Sequence, residues 1–282
     1  MTQVEITYMR RDGKSKQELV SGDLTSLSLC GKGIIEIDLA PLQNCKSLIE
    51  LDLSANWLKR VDLMSLSSLE KLEILKLDSN SLVTIDLTPL SECSNLTQLH
   101  IEVNKLQRVD LSPLNNCSKL EELYLNSNNL QDVDLTPLSD CPDLKFLRLD
   151  NNQLFNLDLM PLGFCIQLQE LFLEKNPLEE LDLTHLSNCT ALEGLWLRGT
   201  SLQHLDLSPL FPLEELLWLD LSENSIYLID LSPLYNLKGL ESLMIDDSIV
   251  IMVNRILEDD EPPISMAQYM DRVFYPDYKD IN

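Results

Sequence analysis

The sequence predicts an α/β solenoid, strand-dominated, with a parallel sheet along one side and short helical turns along the other. Three observations carry this reading. An Asp-Leu pair recurs at Asp38, Asp62, Asp86, Asp110, Asp134, Asp158, Asp182, Asp206 and Asp230, eight successive steps of 24 residues without an insertion. Leu-x-Leu alternates with period two in every unit, the mark of a short strand. Leu-Ser/Thr-Pro-Leu follows the Asp in most units, as in Leu87-Thr88-Pro89-Leu90. A fixed period of this length describes units that hide their apolar sides only by stacking on one another.

Leucine fills the first column of every unit from Leu48 to Leu240, and again three residues later from Leu51 to Leu243, with Leu or Ile two further on, as in Leu125 and Ile101. Those side chains point inward and the residues between them point outward. Asn follows at Asn56, Asn80, Asn104, Asn128, Asn152, Asn176 and Asn224. A primary amide there both donates to and accepts from backbone groups that the bend leaves unpaired. Lys32, Thr200 and Ser248 depart from this column. The hydroxyl before Pro is expected to cap the helical turn, with Pro at its first position. Met64-Ser65 and Thr184-His185 break that pattern and are expected to form looser turns. The marker Asp is expected to accept N–H bonds in the bend before the turn.

Written out, the unit is LxxLxLxxNxLxxVDL, and over residues 24–248 it resembles the leucine-rich repeat family. The resemblance implies a curved right-handed superhelix, its parallel sheet on the concave face and its turns on the convex face, capped at both ends. It also implies a non-catalytic scaffold for protein–protein interaction. By analogy with intracellular members, it suggests a regulator of a small GTPase or a phosphatase, or a cytoskeletal partner.

Three segments are expected: a β-hairpin cap over 1–23, the solenoid over 24–248, and a C-terminal cap and tail over 249–282. Val4 to Met9 alternates apolar and polar residues, Asp12-Gly13 signals a turn, and Gln17 to Val20 returns as a second strand. An open solenoid end exposes apolar side chains and an unpaired strand edge, so a cap is expected there. Ile249 to Leu257 leaves the repeat pattern as a helix or strand. Glu258 to Pro263 is an acidic, Pro-broken connector. Ile264 to Phe274 is expected to be a short helix with Met266, Met270 and Phe274 on one apolar side, followed by a tail from Tyr275. The alternative for this end is a detachable peptide that docks on a partner.

The formal net charge of −25 argues against nucleic acid and an anionic membrane as partners and favours a basic or mixed-charge protein. No run approaches the roughly 18 apolar residues of a membrane span, and MTQVEITYMRRDGK has no leader-like apolar core, so a cytoplasmic protein is expected. Six of the seven cysteines fall seven residues after the marker Asp, where other units place Leu69, Leu213 and Leu237. Exchange with Leu marks buried thiols acting as small apolar groups, in keeping with a reducing compartment. No Cys or His spacing supports a metal, and no cofactor motif is present.

The outward residues of the strands map a surface. Its central column runs Ser28, Asp52, Lys76, His100, Tyr124, Arg148, Phe172, Trp196, Asp220 and Met244. The column two places earlier includes Phe146 and Trp218, and the next row beyond includes Asp78, Glu102, Asp150, Glu174 and Arg198. Tyr124, Phe146, Arg148, Phe172, Trp196 and Trp218, with His100, Asp150, Glu174 and Arg198 around them, form a candidate partner-binding surface with an aromatic centre and an acidic rim. The plain alternative is that the aromatics only pack on one another along the sheet. A second reading has the Asp ladder from Asp38 to Asp230 holding Ca²⁺, although it lacks the clustered ligands of calcium loops. His100 near Glu102 and Tyr124 has no nucleophile motif or phosphate loop beside it, so no catalytic residue is assigned.

Overall fold

A computed structural model describes residues 3–257 and 260–276. Among these, ten strands of three residues, from Ser26–Ser28 and Glu50–Asp52 through to Trp218–Asp220 and Ser242–Met244, form one parallel sheet in which each coil pairs with the next. The register is in step with the repeat: Tyr124 lies opposite Arg148, Arg148 opposite Phe172, and Phe172 opposite Trp196. The middle leucine of each strand from Leu51 to Leu243 is at most 1% exposed, so the core runs the length of the coil.

The Asn column ties coils together through its amides. Asn128 Nδ2 donates to the carbonyls of Leu125 (3.0 Å) and Ile101 (3.1 Å), and its Oδ1 accepts from Leu106 N–H at 3.0 Å. Asn56, Asn80, Asn104, Asn152 and Asn176 repeat this arrangement. One side chain thereby satisfies backbone groups of its own coil and of the coil before it, as the sequence predicts. The residue just ahead of the Asn adopts a left-handed backbone, with φ near +54° at Ala55, Ser79 and Lys175 and +53° at Val103. That twist aims its N–H at the next coil, as in Val103 N–H to Asn126 C=O at 3.0 Å.

Short 3₁₀ helices line the opposite side, among them Thr88–Glu92, Ser112–Asn116 and Thr136–Asp140. Their cap differs from the expectation. The residue before the helix is a leucine with no side-chain cap bond, and the hydroxyl residue is already the first helical one. The marker Asp accepts instead: Asp86, Asp110 and Asp134 Oδ1 each receive the N–H two residues on at 2.9 Å. Hydrogen bonds from these residues hold the three carboxyls below their ordinary range.

The looser turns expected at Met64-Ser65 and Thr184-His185 are also corrected. Met64–Ser68 and Thr184–Asn188 have the same five-residue length. The bonds that shape them are Asp62 Oδ1 with Met64 N–H and Leu63 C=O with Leu66 N–H, and neither needs a proline.

The cysteine column is buried, and its thiols are hydrogen-bond donors as well as filler. Cys93, Cys117, Cys141, Cys165 and Cys189 Sγ lie 3.4, 3.7, 3.6, 3.3 and 3.2 Å from leucine carbonyls of the preceding coil. Burial pushes these five thiols up to about 12, which keeps them protonated donors.

At the N-terminal end Gln3–Arg10 pairs antiparallel with Ser15–Ser21 on one side and with Ile34–Asp38 on the other. At the other end Leu228–Asp230, Val250–Met252 and Val273–Phe274 form a small parallel sheet. Ile264–Arg272 is a 3₁₀ helix that buries Met266 and Tyr269, and the Tyr269 hydroxyl donates to Leu243 C=O at 3.0 Å. Phe274 does not share that apolar side: the chain has already entered its strand there, and Phe274 is exposed. Glu258-Asp259 of the expected connector and residues 277–282 of the expected tail lie outside the described residues. Among the described residues no helix is long and apolar enough to cross a membrane.

Replacing Asn128 by Ala strands one N–H and two carbonyls in a dry bend, and a buried unpaired group costs about 1–3 kcal/mol. Asn128→Ala should therefore lower stability by roughly 3 kcal/mol in urea titration, while Gln131→Ala on the exposed surface changes it by less than about 0.5 kcal/mol. Equal effects would show that the amide does not join the coils.

Candidate binding face of the sheet

Because the coils are in register, the outward side chains of successive strands sit about 4.8 Å apart and touch their sideways neighbours. His100 and Tyr124 stack with ring centroids 4.4 Å apart. Phe172 and Trp196 stack at 5.7 Å with planes 3° apart. Arg148 lies between the two pairs, its guanidinium 4.4 Å from the Phe172 centroid and 6.0 Å from that of Tyr124. The five residues thus form one continuous run across five strands. All five are half-buried, because each side chain lies over its neighbour.

Polar partners fix the run from its edges. Arg148 Nε donates to Asp150 Oδ1 at 3.3 Å, and Asn151 Nδ2 holds the other oxygen at 2.8 Å. His100 Nε2 is 3.2 Å from Glu122 Oε2, and Gln98 Nε2 donates to Glu122 Oε1 at 2.9 Å. Burial lowers the His100 imidazole, opposed by the Glu122 carboxylate, while burial and the Glu122 charge push the Tyr124 phenol up to about 12. A Cβ on Gly194 would stand 2.9 Å from Trp196 Nε1, so the missing side chain there makes room for the indole.

The structure brings His100, Tyr124, Arg148, Phe172 and Trp196 together, with Asp150 bound to the arginine. Phe146 and Trp218 occupy the adjacent row, three coils apart with Glu170 and Gly194 between them along Phe146–Glu170–Gly194–Trp218. Arg198 pairs with Glu223 at the exposed rim. Glu174 continues the row of Asp150, and its Oε2 has no hydrogen-bond partner. Two residues absent from the candidate set matter here: Glu122, which joins Gln98 and His100, and Asn126, 9% exposed and placed between Glu102 and Asp150 in their row. Both were readable from register alone, since they occupy the same columns as the residues selected.

Burial and the neighbouring carboxylates raise the carboxyls of Glu102 and Glu174 from 4.5 to about 7, against smaller lowering by their own backbone N–H groups and by Arg148. On the flank beside the turns, a groove of about 690 Å³ is lined by His185 and His204 with Asp158, Asp182 and Asp206. Those aspartates accept the N–H of Met160, Thr184 and Ser208. Among the described residues no group of three or more His, Cys, Asp or Glu is placed to hold a metal ion.

Comparison with known proteins agrees with this architecture. The family model described as leucine rich repeat matches residues 23–82 and 94–154. Among solved structures the chain is similar to a leucine-rich repeat protein of Leptospira interrogans, with TM-score 0.70 and 24% identity over 83% of this chain and 62% of that one. It is also similar to internalin C2 of Listeria monocytogenes, with TM-score 0.55 and 26% identity over 81% of this chain and 85% of that one. The chain therefore spans 62% of the length of the Leptospira protein. No curated protein sequence matches it.

The raised carboxyls make stability depend on pH. Between 4.5 and about 7 the folded chain keeps protons on Glu102 and Glu174 that the unfolded chain has released, so stability falls as pH rises through that window and levels off above it. The double variant Glu102→Gln/Glu174→Gln removes this term. Its melting temperature relative to wild type should be unchanged near pH 4.5, rise through pH 7, and stay constant beyond. A gap independent of pH would contradict the assignment.

Proposed function

This chain is a leucine-rich repeat protein, and we propose that it is a non-catalytic scaffold that docks a protein partner on the inner face of its sheet. The observation that carries this reading is the unbroken run His100, Tyr124, Arg148, Phe172, Trp196 across five neighbouring strands. Tyr, Trp and Arg are the side chains that most often anchor protein interfaces. Stacked against one another they are already ordered, so binding costs less side-chain entropy than it would for free rotors. Phe146 and Trp218, both in the adjacent row, extend the apolar area along one side of the run.

The net charge of −25 favours a basic or mixed-charge protein over nucleic acid or an anionic membrane. A small GTPase or a phosphatase as the partner rests on the family resemblance, not on a feature of this face. Cytoplasmic placement belongs to the same proposal. The thiol-to-carbonyl bonds of the cysteine column exist only while those cysteines are reduced, which supports a reducing compartment. Calcium binding by the Asp ladder is disfavoured because each turn already uses an Asp oxygen for its own N–H.

Capture from native lysate with wild type, Trp196→Ala and Phe172→Ala tests the reading. Truncating an interface anchor typically costs about 2 kcal/mol or more, roughly thirtyfold in affinity. Both variants should lose the partner while melting within a few degrees of wild type. Retention of the same partner at wild-type level by both would remove the proposed face.

A further inference from the structure

We propose that the row beside the aromatic run cradles an extended basic segment of the partner, seating two Lys or Arg side chains four residues apart near Glu102 and Glu174. This rests on the docking face proposed above and names the chemistry of what it takes.

Glu102, Asn126, Asp150 and Glu174 follow one another on successive strands, two residues beyond the central column. Asn126 is 9% exposed and its Oδ1 is shut off without a donor. Glu102 Oε2 and Glu174 Oε2 are in the same condition. Native proteins pair nearly all such buried acceptors, so three in one row are unusual. The carboxylates of Asp78, Asp150 and Asp220 stand nearby, and the cation that acts on both glutamates is Arg148, already bound to Asp150 and laid over Phe172. Arg198, next in the row after Glu174, also acts on that glutamate, but its guanidinium is paired with Glu223 at the rim. Acceptors thus lie in a line while both nearby guanidinium groups are already engaged.

An ammonium or guanidinium group carries donors and no acceptor, and it brings positive charge to a row whose acids outnumber its one arginine. The spacing then selects the segment. Glu102 and Glu174 are three strands apart, about 14 Å at about 4.8 Å per strand. In an extended peptide rising about 3.4 Å per residue, residues i and i+4 share a face and stand about 14 Å apart. Asn126 lies between the two carboxyls in the same row.

The test uses fluorescein-labelled synthetic decapeptides, each with two lysines in a Ser/Thr background at spacing i,i+3, i,i+4 or i,i+6. Binding to the whole chain is read by anisotropy at 50 and 150 mM salt. The i,i+4 peptide should bind at least threefold tighter than the others. That preference should vanish in Glu102→Gln/Glu174→Gln and persist in Asp140→Asn/Asp143→Asn, which removes the same charge from exposed positions on the turn side. Equal affinity at all spacings, or equal loss in both double variants, would mean general attraction to an acidic protein and would overturn the proposal. If the peptides fail while capture still depends on Trp196, the basic segment is wrong and the docking face stands. If capture also ignores Trp196, both fall.

Discussion

An asparagine amide that bonds two coils at once sets the geometry of this molecule. Its oxygen and nitrogen reach backbone groups of neighbouring coils, so each unit can close its bend only against an identical unit in step with it. Thr200 shows what the amide contributes. Its hydroxyl donates once within its own coil, to Leu197 C=O at 2.9 Å, and approaches Asn224 Oδ1 at 3.0 Å. In the coil before it, Leu178 N–H turns to the carbonyls of Asn176 and Thr200, and Glu179 takes a left-handed backbone with φ +51°. A departure in one column thus reshapes the bend of its neighbour.

The same constraint builds the inner face. With register held, residues 24 apart in sequence are pressed side by side, and whatever the repeat places at one outward position becomes a row. A row of rings and a guanidinium stacks, while a row of carboxylates accumulates unsolvated charge. The two adjacent rows therefore differ in character although one backbone geometry serves both. The first offers flat, ordered apolar surface and the second offers acceptors that lack donors. Together they describe a face suited to an extended chain carrying both apolar and basic side chains.

Much of this was readable in the sequence because the repeats are nearly identical: the period, the inward leucines, the Asn column and the outward rows all follow from counting. What escaped has physical reasons. The carboxylate's bond in the bend was legible, but Asp86 and Thr88 stand two residues apart and both carry oxygens suited to a cap, and only the backbone path shows that the hydroxyl residue is already inside the helix and caps nothing. The left-handed position had a faint sign in Gly31, Asn151 and Gly199, masked by Val103 and Lys175 in the same column. The half-burial of the aromatics depends on long side chains lying over their neighbours, which register permits but does not dictate. Phe274 was misplaced because the last segment has no repeat to set its phase.

The central claim is that this register-built inner face, and not the side of the turns, meets the partner. Site-specific photo-crosslinking tests it most directly, with a diazirine residue replacing either Lys76, beside His100 on the inner face, or Asn115, exposed on a turn. The account predicts a covalent partner adduct from position 76 and none from position 115. An adduct from position 115 alone would contradict it.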